Sequence, residues 1–263
     1  VHRFADLLFK QVGTCGFFII RKQGAKMKRA WTLGLAVALT AINATVQAYE
    51  QGDWILRVGA TTVAPDTDSD DINLPGGLVA KAEVDNDTQL GIIPAYMLTD
   101  SWAIEVLAAT PFQHNIEAQG QGAINGTNLD AGSTDHLPPT VSVQWYPRGG
   151  QSGWQPYLGA GVNYTMFFDT KADGQLISLL GSLTDGAVDD ANLDLDDSLG
   201  LAFQAGVDVP IDEHWAFNAG VWYIDLDTEA EVTAIANGAT AAKVKFDVQI
   251  DPWVYNIGVA YKF

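Results

Sequence analysis

Beyond about residue 50, large apolar side chains recur at every second position in one segment after another. The positions between them are small or polar, which is the period of a strand with two unlike faces. Trp54, Leu56, Val58 and Ala60 alternate with Ile55, Arg57, Gly59 and Thr61. Trp102, Ile104, Val106 and Ala108 alternate with Ala103, Glu105 and Leu107. Leu199, Leu201, Phe203, Ala205, Val207 and Val209 stand against Ser198, Gly200, Ala202, Gln204, Gly206 and Asp208. Trp215, Phe217, Ala219, Val221 and Tyr223 stand against Ala216, Asn218, Gly220 and Trp222. The final run sets Trp253, Tyr255, Ile257, Val259, Tyr261 and Phe263 against Val254, Asn256, Gly258, Ala260 and Lys262. Segments near 88–98, 139–146 and 155–169 follow the pattern less strictly, so eight strands are expected.

Two architectures accommodate strands of this kind. A water-soluble barrel turns its apolar face inward; a membrane barrel turns it to lipid, with aromatic girdles and a small or polar interior. Gly159, Gly161, Gly200, Gly206, Gly220 and Gly258 suit a crowded interior better than a solvated surface, which favours lipid on the apolar side. The connections agree. Those at 62–87, 112–137, 170–197 and 229–245 are long, while those at 99–101, 147–154 and 210–214 are short. Alternate connections of an up-and-down barrel share one end, so every long one falls together. The expectation is an all-β fold: an eight-stranded antiparallel up-and-down transmembrane β-barrel in a bacterial outer membrane. Its long loops would be extracellular and both mature termini periplasmic.

The barrel is expected over 49–263. Upstream, Met27-Lys28-Arg29, the apolar stretch Ala30–Ile42 and the small residues Val46 and Ala48 have the layout of a secretory signal peptide over 27–48. Its apolar part is too short to cross a bilayer. Residues 1–26 precede a good start methionine and read as upstream sequence, with a long n-region as the alternative. Without 1–48 the chain holds 31 acidic and 7 basic residues and no cysteine, because Cys15 leaves as well. No disulfide framework is then available. A chain this acidic lacks the basic face that nucleic acid requires. The outer segments 62–88, 112–136, 169–197 and 225–247 contain 23 of those acidic residues and 4 of the basic ones. They form an acidic rim above a nearly uncharged band.

Several blocks carry a resemblance to a known family. They include Glu105-Val106-Leu107-Ala108-Ala109-Thr110-Pro111-Phe112, His136-Leu137-Pro138-Pro139-Thr140 and Gln144-Trp145-Tyr146. Further blocks are Pro156-Tyr157-Leu158-Gly159-Ala160-Gly161, Val221-Trp222-Tyr223-Ile224-Asp225 and Asp251-Pro252-Trp253-Val254. In these the chain resembles the OmpW family of outer-membrane proteins, with longer and more acidic loops. The resemblance implies an eight-stranded barrel whose narrow apolar lumen admits small hydrophobic molecules and releases them sideways into the bilayer. It also implies a hydrophobic constriction at Leu107 and Trp222, and an assembly signal in the terminal Tyr261 and Phe263. Implied partners are outer-membrane lipid and lipopolysaccharide, hydrophobic solutes and the barrel assembly machinery; no cofactor is implied.

Parity places Ile93, Met97 and Ile224 on the same inward face as Leu107 and Trp222, where they could equally be ordinary packing of a small barrel. Arg57, Glu105, Asp208 and Lys262 share that face and should pair, since an unpaired buried charge is costly. Eight strands leave room for side chains or one small ligand, so a water-filled pore is disfavoured. His114, His136 and His214 lack spacing that would define a catalytic or metal site, and no enzyme activity is expected. Asp66-Thr67-Asp68-Ser69-Asp70 begins like a calcium loop but has Asp71 where a glycine turn is needed and Gly77 where a glutamate belongs. A solvated acidic surface is the simpler reading there and at Asp189-Asp190 and Asp194-Leu195-Asp196-Asp197. The competing function is a structural or surface-interaction barrel whose acidic loops bind cations, envelope components or receptors.

Overall fold

The computed structural model describes residues 49–74, 78–122 and 125–263; the expected leader within 1–48 and the calcium-loop position Gly77 lie outside them. Along the chain the strands are β1 (Trp54–Ala64), β2 (Asp68–Ser69), β3 (Ile72–Leu74), β4 (Leu78–Val84), β5 (Asp87–Thr99) and β6 (Trp102–Ala109). They continue as β7 (Phe112–Gln121), β8 (Asn128–Leu137), β9 (Thr140–Trp145) and β10 (Gln155–Ala172), followed by helix α1 (Gly174–Leu183). The remainder are β11 (Asp190–Leu195), β12 (Ser198–Pro210), β13 (Trp215–Ile224), β14 (Asp227–Ala236), β15 (Ala239–Gln249) and β16 (Trp253–Lys262).

Eight of these close the barrel in the order β1-β5-β6-β9-β10-β12-β13-β16, with β16 returning to β1. Every neighbouring pair is antiparallel, as an up-and-down connection requires. These are the eight segments marked by alternation. The large apolar residues form the outer surface: Leu199 is 72% and Ile257 73% exposed, and Phe217 and Phe203 stand out beside them. Along β16, Trp253 to Tyr261 covers roughly 27 Å at about 3.4 Å per residue, before tilt. That matches the apolar band of about 25 Å typical of outer-membrane barrels.

The long connections depart from expectation, because they are mostly folded. Beyond one end of the barrel, β10 carries a small sheet ordered β10-β8-β7-β4-β3, and β11-β14-β15-β2 form a second. The backbone N–H of Ala82 donates to Ser69 Oγ at 2.8 Å, and Lys81 pairs with Asp68 at 2.8 Å, which ties the two sheets together. Alternation does exist in these strands, but it is muted. In β14 the inward Thr228, Ala230 and Val232 oppose Asp227, Glu229 and Glu231, so the apolar members are too small to stand out. Helix α1 follows directly from β10; Asp173 caps it by accepting from Gln175 N–H at 2.8 Å, and Leu176 anchors it by burial. Gly186, at φ +79°, closes it by donating to Gly181 O at 2.8 Å.

Candidate functional site

The barrel interior is built in layers. At the end with the short turns, Ile55, Ala95, Met97, Ala103 and Ala260 pack with Tyr49 and Tyr146. Above them lies a polar layer centred on Arg57. Its guanidinium donates to Glu105 Oε2 at 2.7 Å, to Asp208 Oδ2 at 2.7 Å and to Tyr146 Oη at 2.7 Å. The plane also sits over the Tyr157 ring, 4.6 Å from its centroid. Asn218 Nδ2 donates to Asp208 Oδ1 at 2.8 Å, and Gln144 Nε2 to Glu105 Oε2 at 2.6 Å. All three charged groups are buried, so their pairing offsets a desolvation cost that water cannot relieve.

The next layer is apolar: Ile93, Leu107, Phe112, Trp222, Ile224 and Val254 fill the bore. Trp222 is completely buried, and its indole N–H finds no partner among the described residues. Past this plug the two outer sheets enclose apolar space. An inner cavity of about 50 Å³ is bounded by Val63, Phe167, Leu226, Val248 and Ile250, with His114 and His136 on one wall. A larger chamber of about 320 Å³ lies under α1, against Leu176, Leu179 and Leu180. Ala82, Ile116, Leu193 and Phe246 line both spaces, so the two adjoin.

The two histidines lie beyond the apolar band. Their Nε2 atoms are 2.9 Å apart, and His114 Nδ1 meets the backbone oxygen of Asp85. Burial, reinforced by neighbouring His114, pushes His136 down to about 3, and burial lowers His114 as well, so both rings are neutral at neutral pH.

Strand pairing is interrupted at this level. Pairing of β6 with β9 ends at Leu107 and Thr140, and pairing of β7 with β8 begins at Phe112 and His136. Between them run residues 108–111 and 137–139, which include Pro111, Pro138 and Pro139. Proline has no N–H to extend a ladder. The carbonyls of Pro138 and Pro139 turn to Asn163 Nδ2 and Tyr164 N instead, at 3.2 and 3.0 Å.

Of the residues singled out by parity, Leu107, Trp222, Ile93 and Ile224 are in one cluster, while Met97 belongs to the layer near the short turns. Arg57, Glu105 and Asp208 form one network; Lys262 lies apart, 3.9 Å from Asp53 at the rim. Tyr261 and Phe263 pack edge to face on each other at the same end, with His214 stacked on Tyr261. Asp68 is engaged by Lys81, and Asp197 accepts from Tyr164 and from Phe167 N–H. Sequence reasoning missed Tyr146, Tyr157 and Gln144 around Arg57, although their inward parity was readable. It also missed the histidine pair, because no pattern reveals the register between β7 and β8.

The OmpW family matches residues 50–263. The chain is 42% identical to outer membrane protein W of Vibrio cholerae, over 88% of this chain and 97% of that protein. It is 37% identical to outer membrane protein W of Escherichia coli, over 90% of this chain and 100% of that protein. The crystal structure of the outer membrane protein OprG from Pseudomonas aeruginosa superposes with a TM-score of 0.69 at 41% identity, covering 83% of this chain and 99% of that one. Resemblance in sequence, an eight-stranded closed barrel and an apolar outer surface agree: the chain belongs to the OmpW family of bacterial outer-membrane β-barrels.

Proposed function

We propose that this barrel gives passive passage to small hydrophobic molecules. They are taken up through the apolar chamber under α1, with the acidic rim facing the outside and the short turns and barrel termini in the periplasm. Release is sideways, through the seam between residues 108–111 and 137–139, into the bilayer. The observation that carries this reading is a pair of adjoining apolar spaces that end at a packed plug, beside a proline-rich interruption of strand pairing. Axial transit is opposed by two packed layers and a buried ion-pair network between them. A lateral step needs only the side chains at the seam to part. No energy input is required, because an apolar solute gains by leaving water at every stage. The headgroups of lipopolysaccharide, against which the acidic rim would stand, are the barrier such a route avoids. The aromatic pair Tyr261 and Phe263 is assigned to recognition by the assembly machinery.

The competing surface-interaction reading rests on the acidic loops. Part of that acidity is already engaged, since Glu229 and Glu231 hold Lys245 and Lys243, and Asp68 holds Lys81. The test is uptake of an apolar solute by cells carrying the wild type or Trp222→Arg at equal barrel content. The charge placed in the floor of the route is expected to reduce uptake toward that of cells lacking the barrel. Equal uptake would overturn the lumenal route.

A further inference from the structure

The chamber under α1 is not walled evenly. One of its two sheets ends on β3 and the other on β2, and β2 covers β15 only at Val248 and Gln249. Asp70 N–H donates to Asp247 O at 3.1 Å, and beyond that bond the chain leaves β15, so that Ile72, Asn73 and Leu74 pair with β4 instead. From Ala239 to Phe246, no strand among the described residues pairs with the outer edge of β15. A slot therefore begins above Asp70. The chamber is lined from both of its lips, by Ile72 and Asn73 on one side and by Ala241, Ala242 and Val244 on the other.

Solvent exposure locates the opening. Ala234 on β14 and Ala242 on β15 are cross-strand partners and stand at one height, yet Ala234 is 8% exposed while Ala242 is open to solvent. Ala230 and Phe246, a pair nearer the barrel, differ in the same sense. On the facing sheet Ala80 is 3% exposed, and its β3 partner Ile72 is only half-buried. Where β2 closes the edge the difference vanishes, since the partners Thr228 and Val248 are both buried. A chamber open only at its top would expose both members of each pair alike. Burial that falls from inner strand to edge strand on both sheets points to the gap between β3 and β15. That gap can widen without breaking a ladder hydrogen bond, unlike any seam between paired strands. Lys243 and Lys245 stand along the same edge, held by Glu231 and Glu229, and such charges discourage another chain from pairing there.

We propose that solute enters the chamber sideways, through the slot between β3 and β15, with Asn73 and Ala242 as its lips. The proposal rests on the passage reading above and adds the place of entry to it. Helix α1 is then a fixed roof, anchored by buried Leu176 and by Gln175 Nε2 donating to Asp130 Oδ2.

Cysteine pairs test this, because residues 49–263 contain no native cysteine. The full chain carrying Asn73→Cys with Ala242→Cys is bridged on cells by reducible bis-thiol reagents of graded length, and the initial uptake of labelled naphthalene is measured. A second chain, Gln175→Cys with Asp130→Cys, ties α1 to β8 in the same way. All four positions are exposed, and the heat-modifiable gel form reports equal barrel content. Bridging the slot should lower uptake to that of cells lacking the barrel, and reductant should restore it. Bridging α1 should leave uptake unchanged. Loss of uptake on tying α1 but not on bridging the slot overturns the proposal, as does failure of every reagent to bridge the slot pair; the passage reading then stands with another entrance. If neither bridge alters uptake but Trp222→Arg does, the slot again falls alone. If Trp222→Arg is also without effect, both fall. Should the slot pair fail to assemble, Ala242→Trp narrows the same opening with one exposed substitution. Uptake should then fall severalfold, and undiminished uptake overturns the proposal.

Discussion

Arg57 shows how strongly a single inward position can depend on partners from distant strands. Its guanidinium is shared by Glu105 on β6 and Asp208 on β12, so three strands are tied by one side chain. Replacing it with methionine leaves two carboxylates buried beside each other without a cation. We expect Arg57→Met to lower stability by about 3–5 kcal/mol, seen as a lower urea midpoint for loss of the heat-modifiable gel form. A triple variant, Arg57→Met with Glu105→Gln and Asp208→Asn, should regain most of that loss, and failure to do so would mean the network is more than charge compensation. At the same scale, two glycines make room for the interior aromatics. A Cβ on Gly206 would lie 2.3 Å from the Tyr157 ring, and one on Gly220 would lie 2.7 Å from the Trp222 ring. The sequence marks both glycines as inward, but the rings they accommodate become visible only once β10, β12 and β13 are in register.

Among the elements, the break between β6–β9 and β7–β8 is the one most open to testing. Replacing Pro138 and Pro139 with valine restores two N–H donors and allows the ladder to run past Thr140. We expect reduced uptake of apolar solutes at unchanged barrel content, with slower amide exchange across 108–112; undiminished uptake would sink the side exit. The same pair of strands should respond to acid. His136 ionises at about 3 in the folded chain against 6.5 when unfolded, and His114 is lowered in the same direction. The unfolded chain therefore binds more protons below pH 6.5, so stability is full above that value and is lost as pH falls toward 3. By pH 5 the cost from His136 is about 2 kcal/mol. Amide exchange in β7 and β8 should accelerate over that window, and His136→Phe should flatten the response. Both the proline cluster and the histidines are plain in the sequence. Their adjacency is not, because it depends on how the connection after Gln121 returns the chain to His136.

At the scale of the molecule, the chain is a barrel with a folded tier above it. The barrel wall is legible from alternation because lipid on one side and a crowded bore on the other impose unlike demands on successive residues. The upper tier is less so, since its strands face water on one side and an apolar chamber on the other, with Ala, Thr and Val as the inward residues. The concentration of acidic residues in that tier is a sequence-level fact, yet the ion pairs within it and the apolar chamber it encloses are not. An acidic exterior keeps this tier solvated while its interior stays apolar.

What the sequence by itself determined is the strand count, the sense of each strand's two faces, the end of the barrel that carries the long connections, and membership of the family. These follow from a period of two residues and from local blocks, and neither needs a knowledge of register. Only the tertiary structure decided that Leu107 and Trp222 pack in one interior layer and Met97 in another, and that Arg57 serves two carboxylates while Lys262 lies with Asp53. It likewise decided that His114 meets His136 beside an apolar cavity. The physical reason is that parity assigns a residue to a face, whereas stagger between neighbouring strands assigns it to a height. A site inside a barrel is made of residues at the same height.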